Sequence, residues 1–200
     1  MMSEQTLEKP AVQQTGIVSP SRLAHFVLRT SRMKEMVAFY KFVLNGQTAF
    51  ANDEIAFLSY DDEHHRIAFI NIPGLAPQPA GTVGLHHVAF TYDSLGELLG
   101  NYERLRDAGI VPLWCVNHGP TTSMYYGDPD ENQFEFQVDN YATVEEAGEF
   151  FFTDAFAANT IGVDYDPEDL IRRLRDGESE ASVKLRPPSG PRGVETIPIR

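Results

Sequence analysis

GLHHVAFTYDSLGELLGNYERLRDAG, residues 84–109, decides the fold because it occurs twice in outline. Residues 84–92 are rich in strand formers, and 94–109 read as a capped helix ending at Gly109. RLAHFVLRTSRMKEMVAFYKFVL at 22–44 has the same form. Its strand covers 22–30. Met33, Met36, Val37, Tyr40 and Leu44 then recur at helical spacing, Thr30 or Ser31 is placed to cap the helix, and Asn45 with Gly46 stops it. Laying His25 on His87 also superposes Leu23 on Leu85, Glu35 on Glu97, Met36 on Leu98, Tyr40 on Tyr102 and Val43 on Leu105.

Three strand-like runs follow each helix, at 48–51, 54–60 and 66–72, and again at 111–116, 123–127 and 133–138. The recurring order implies an internal duplication. The expected fold is α+β, with two βαβββ modules (about 21–75 and 83–140) forming one domain over 21–142 around a shared sheet-lined cavity. Residues 1–20 are expected to be a flexible arm, 143–177 a helical extension that includes a helix starting at Asp166 and Pro167, and 178–200 a flexible tail with little to bury.

The whole chain has 200 residues, 42% of them hydrophobic, an ordinary globular composition. Its 16 basic and 29 acidic residues give a formal net charge of −13, which repels phosphate backbones and argues against nucleic acid as a partner. One cysteine, Cys115, permits neither an intramolecular disulfide framework nor a multi-cysteine zinc site. No run suits a membrane span and the N-terminus lacks an apolar leader, so a cytoplasmic protein without membrane partners is expected.

Any metal must therefore rest on His and carboxylate. Two imidazoles and one carboxylate on one face of an ion leave positions open for oxygen or a chelating ligand. His25, His87 and Glu135 supply such a set, and each is expected near the middle of a strand. In QFEFQV, Phe134, Phe136 and Val138 share one face and Gln133, Glu135 and Gln137 the other, so Glu135 faces either the cavity or water. His87 is chosen over His86 because it aligns with His25. His86 shares its face with Val88 and Phe90 and is expected to be packed or hydrogen-bonded.

These residues resemble the type I extradiol ring-cleaving dioxygenases of the vicinal oxygen chelate superfamily. GLHHVAF at 84–90 is similar to the family's second metal-ligand strand, AHFVLRT at 24–30 to the first, and MYYGDPDENQFEF at 124–136 to the segment carrying its Tyr and Glu. HRIAFI at 65–70 resembles the strand that begins with an active-site His, and VNHGPT matches the remaining one. The resemblance covers roughly residues 20–140. It departs at Glu131, where the family has Gly, and in having one pair of modules where the best-known members have two.

The resemblance implies Fe(II), with Mn(II) served by the same donors, held by His25, His87 and Glu135. It implies catalytic roles for His65 as the base, and for His118 and Tyr125 as hydrogen-bond partners of the reacting oxygens. A small aromatic diol and O2 are then the partners, and a homo-oligomer is expected. Simpler readings make His65 a surface residue of the acidic loop DDEHH, His118 a loop residue and Tyr125 a packed aromatic. The rival functions are a metal-dependent glyoxalase or epimerase of the same fold, and a protein that sequesters an aromatic ligand.

Overall fold

The computed structural model describes residues 19–79 and 81–198, so almost all of the expected N-terminal arm lies outside the described residues. The N-terminal module runs β1 (Phe26–Thr30), α1 (Met33–Val43), β2 (Gln47–Ala51), β3 (Ile55–Ser59) and β4 (Ile67–Asn71). The C-terminal module repeats the order with β5 (His87–Tyr92), α2 (Leu95–Asp107), β6 (Trp114–Asn117), β7 (Thr121–Gly127) and β8 (Gln133–Asp139). The duplication read from the sequence is thus a duplication of structure. In each module the first strand lies parallel to the last, β1 on β4 and β5 on β8, and the remaining pairings are antiparallel.

Each pleat divides its strand between two faces. On β8, Phe134, Phe136 and Val138 are buried in the core. They meet Met36, Tyr40 and Val43 of α1, Leu95, Leu98 and Leu105 of α2, and Ile67 and Phe69 of β4 in one cluster that spans both modules. Phe26 of β1 and Phe90 of β5 come within 6.1 Å between ring centroids, and Tyr40 lies 5.8 Å from Phe134. The Tyr40 hydroxyl donates to Asp128 at 3.1 Å, while the Asp128 carboxylate also accepts from the backbone of Asp130 and Asn132, which fixes the turn between β7 and β8. Glu131 in that turn has φ +67°, the left-handed conformation that glycine adopts freely.

Because the two modules meet through these core faces, the opposite faces of the two sheets are turned away from that core. A cavity lined by both modules does lie beside that core, between Val27–Arg29 of β1, Val88 of β5 and Pro129–Phe134, but none of the six singled-out site residues lines it. Packing of the aromatic core joins the modules on the side away from the site residues. A smaller correction concerns α1. Its first turn has no side-chain cap, since the Thr30 hydroxyl accepts from Arg32 N at 2.8 Å, whereas Ser94 caps α2.

The extension contains α3 (Val144–Phe150), α4 (Asp154–Ala158), β9 (Val163–Asp164) and α5 (Pro167–Arg175), started by Asp166 and Pro167. β9 pairs with β6 and makes a five-stranded sheet, an element too short to show a pattern in sequence. The stretch expected as a flexible tail instead packs over residues 178–198. It forms α6 (Glu180–Val183), buries Val183 at 3% exposure, and ends with a 3-10 turn at Val194–Thr196. The Glu180 carboxylate accepts from Leu95 N at 3.1 Å and Gly96 N at 2.9 Å, where free N–H groups and the helix dipole favour an anion. Arg192 donates to Asp164 at 2.6 Å and covers the ring of Trp114. Few apolar residues were legible in this tail, but Val183, Glu180 and Arg192 each hold it to the body of the protein.

Removing residues 180–200 should accordingly destabilise the protein. Loss of Val183 burial alone costs about 1.5–3 kcal/mol, and thermal denaturation should show a melting temperature lower by roughly 4–12 °C. An unchanged melting temperature would mean the docked tail contributes no stability.

Candidate active site

The C-terminal sheet gathers four of the six singled-out residues on its outer face. Glu135 lies on β8 opposite Ala89 of β5 and Tyr125 of β7, and Tyr125 lies opposite Trp114 of β6. His87 opens β5, and its Nε2 lies 3.1 Å from Glu135 Oε2. Glu135 shares its face with Tyr125 and not with the core residues Phe134 and Phe136, and at 4% exposure it does not face water, so this buried carboxylate needs its partners. Burial pushes its carboxyl up, but hydrogen bonds from His87 and Ser123 and the neighbouring imidazoles outweigh that and hold it below the usual range.

Tyr125 is packed between groups of opposite character. Its ring stacks on Trp114 at 5.0 Å and stands edge-on to His87 at 5.1 Å. Burial, followed by the negative Glu135 beside it, raises its phenol far above the ordinary value, so it stays protonated. His118 Nε2 is 3.0 Å from the Tyr125 hydroxyl, and His118 Nδ1 contacts the carbonyl of Ile161. A carbonyl only accepts, so Nδ1 carries the proton. In the neutral imidazole Nε2 is then the acceptor and Tyr125 O–H the donor. Burial lowers the His118 pKa, against the opposing pull of the Ile161 carbonyl, in keeping with a neutral ring.

The extension builds the wall that holds His118. Arg186 donates to the carbonyls of His118 at 3.1 Å and Asn159 at 2.7 Å. Asn159, 2% exposed, donates to Gly162 O and Ser189 Oγ and accepts from the backbone N–H of Ile161 and Gly162. Gly119, with φ +108°, follows His118 directly. A Cβ there would meet the Phe150 ring at 2.1 Å, so α3 closes on the loop only because residue 119 is glycine. Sequence reasoning missed Asn159 and Arg186. The only local signal was Asn159 three residues before Gly162, a turn pattern that says nothing of His118.

His25 and His65 lie elsewhere. Of the three residues expected mid-strand only Glu135 is so placed, since His25 precedes β1 and His87 opens β5; His65 precedes β4, and its ring approaches that of His25 within 4.4 Å. His65 also stacks on Phe57 at 4.8 Å, and His25 is exposed. His86 is exposed rather than packed, with its Nδ1 2.7 Å from that of His87. The six residues therefore form two groups, His25 with His65 on the N-terminal sheet and the other four on the C-terminal sheet.

Residues 22–136 match the family model described as the Glyoxalase/Bleomycin resistance protein/Dioxygenase superfamily. The chain belongs to this superfamily. Biphenyl-2,3-diol 1,2-dioxygenase 3 of Rhodococcus globerulus is 42% identical over 167 residues, covering 82% of this chain and 88% of that protein. Biphenyl-2,3-diol 1,2-dioxygenase 2 of the same organism is also 42% identical, over 78% of this chain and 83% of its own length. Among solved structures, the fosfomycin resistance protein FosX of Listeria monocytogenes, complexed with Mn(II) and sulfate, aligns with TM-score 0.52 and 21% identity. It covers 66% of this chain and 99% of FosX, and it shows the superfamily fold. No helix among the described residues is long and apolar enough to cross a membrane.

Replacing Asn159 with Ala leaves the Ile161 and Gly162 amides without their buried partner and removes one of the two donors to the Gly162 carbonyl, the other being Arg192. The expected cost is about 1–3 kcal/mol in urea denaturation, together with a displaced His118 imidazole resonance in NMR spectra. An unmoved resonance would show that Asn159 does not position His118.

Proposed function

We propose that this protein is an extradiol dioxygenase, which uses O2 to open the ring of a catechol-type diol beside its two hydroxyls. The observation that carries the reading is the hydrogen-bonded pair Tyr125–His118 on the same sheet face as the His87–Glu135 pair. A metal-binding protein that only chelates has no need of the first pair. The names and 42% identity of the two Rhodococcus relatives support the same reaction class.

The proposed ligands His25, His87 and Glu135 suit Fe(II), or Mn(II), in kind, and His87 and Glu135 stand side by side. Among the described residues, however, no three His, Cys, Asp or Glu side chains converge as a metal site, so one chain does not bring His25 to the other two. Bound ferrous iron supplies the spin and electron coupling that triplet dioxygen needs to react with a closed-shell ring.

The protein's own groups handle protons and orientation. His65 accepts a proton from one diol hydroxyl and returns it later, as an imidazole does near neutrality. Tyr125 and His118 hold the reacting oxygens. If His118 takes up a proton, its Nε2 becomes a donor to the Tyr125 oxygen, and the Tyr125 hydrogen is freed to point at the substrate. Trp114, stacked behind Tyr125, limits where that hydroxyl can point. The net reaction breaks one ring C–C bond and the O–O bond and places both oxygen atoms in the product. O2 takes up the electrons the ring gives up, and no external reductant enters.

Anaerobic loading with Fe(II), followed by oxygen-electrode measurements on catechols that include biphenyl-2,3-diol, should give one O2 consumed per diol and a yellow ring-opened product. Metal uptake without oxygen consumption on any diol would overturn the reading. With iron content normalised, His65→Phe should lower turnover by about 10²- to 10⁴-fold. Tyr125→Phe should lower it by roughly 10- to 10³-fold with substrate affinity little changed. Turnover at the unmodified rate in both variants would show these residues to be bystanders.

A further inference from the structure

We propose, resting on the reading of Tyr125 as a hydrogen-bond partner of the reacting oxygens, that Asp164 and Arg192 are positioning residues for the site. Together they clamp Trp114, and Trp114 aims the Tyr125 hydroxyl. The bond of 3.0 Å to His118 fixes where the Tyr125 oxygen can go. A hydrogen bond at the tip does not fix the plane of the ring behind it.

Trp114 supplies that plane. Its indole stacks on the Tyr125 ring with 5.0 Å between centroids and 25° between planes, and it meets His118 edge-on at 5.7 Å. It therefore touches both members of the pair. Stacking alone is a weak constraint, since several offset arrangements serve two rings about equally well. The indole needs a second anchor.

Asp164 is that anchor. Strand register sets it beside Val116, on the sheet face that carries Trp114, Tyr125 and Glu135. Its Oδ1 accepts from the indole Nε1–H at 2.7 Å, the one polar group of the Trp side chain. A ring held at its edge by this bond and on its face by Tyr125 can neither slide nor flip. Yet the Asp164 side chain is 57% exposed, and a carboxylate that open to water holds no fixed orientation by itself.

Arg192 supplies the orientation. Its guanidinium forks onto both oxygens, Nη1 to Oδ1 at 2.6 Å and Nη2 to Oδ2 at 3.1 Å, a geometry that fixes the carboxylate plane. The arginine lies over the Trp114 ring at 5.6 Å, and its own donors are held by Thr196 Oγ1 at 2.9 Å and the Gly162 carbonyl at 3.3 Å. Its side chain is 19% exposed. The pairs Arg32–Glu35 and Arg172–Asp169 differ in kind, because they join residues three apart through side chains 45–63% exposed, where an ion pair is worth little. Arg192, Asp164 and Trp114 come instead from the tail, β9 and β6, and all three converge on one catalytic side chain.

Trp114 is the protein's only tryptophan, so the tryptophan band in near-ultraviolet circular dichroism of the metal-free protein reports how firmly this one ring is held. Asp164→Ala and Arg192→Ala should lose most of that band, and Arg192→Lys should keep part of it. After loading with Fe(II), with biphenyl-2,3-diol as substrate, the two alanine variants should turn over about 10- to 10²-fold more slowly with KM little changed. In a Tyr125→Phe background Arg192→Ala should cost nothing further, because the hydroxyl it helps to aim is already gone. Val183→Ala, which loosens the tail where it packs on the core, should lower the melting temperature and leave band and turnover in place. If an alanine variant fails to fold, Arg192→Gln, which removes the fork but stays long and polar, takes its place.

A band unaltered in the Asp164 and Arg192 variants, a band loss that Val183→Ala reproduces, band loss with turnover unchanged, or an equal further fall in the Tyr125→Phe background would overturn the proposal. Normal turnover beside an unaltered band would remove it and leave the dioxygenase reading standing. Loss of the band in a protein that acts on no diol would support the clamp on Trp114 and Tyr125 and remove the dioxygenase reading alone.

Discussion

The constraint on which the molecule depends is the alternation of side chains along a strand. In β8 it sends Phe134, Phe136 and Val138 into the core and Glu135 to the opposite face, within six residues. The same parity places Tyr125 and Ser123 on the site face of β7 while Met124 and Tyr126 are buried below. Core and chemistry are thus separated by one sheet thickness, and neither can shift register without destroying the other. A carboxylate as buried as Glu135 is tolerable because that face also supplies His87 and Ser123 as hydrogen-bond partners.

Much of this was legible in the sequence because it is local. The strand and helix of each module announce themselves by period, the duplication by the recurrence of Tyr40 as Tyr102 and His25 as His87, and the orientation of Glu135 by its phenylalanine neighbours. What was not legible depends on contacts distant in the chain. That the modules join through their core faces follows from Phe26, Phe90 and Phe134 meeting in space, and no spacing records it. The hold of Asn159 and Arg186 on His118 runs through backbone carbonyls, which every residue has. The tail seemed free because hydropathy counts apolar residues. It docks through Glu180 at a helix start and Arg192 on Asp164, contacts that polar composition conceals.

The extension links folding to chemistry. It covers β6 through β9, packs Phe150 against Gly119, and fixes the proton of His118 on Nδ1 through the Ile161 carbonyl. The direction of the hydrogen bond to Tyr125 is set by that distant contact, so the proton state of the site depends on residues outside the duplicated modules. Substitutions in the extension should therefore be read first as changes in the aim of a hydroxyl.

The most direct measurement is anomalous diffraction at the iron edge from crystals of anaerobically loaded protein. The account predicts iron bound at His87 and Glu135, on the sheet face that also carries the Tyr125–His118 pair. Iron bound away from His87 and Glu135 would contradict it.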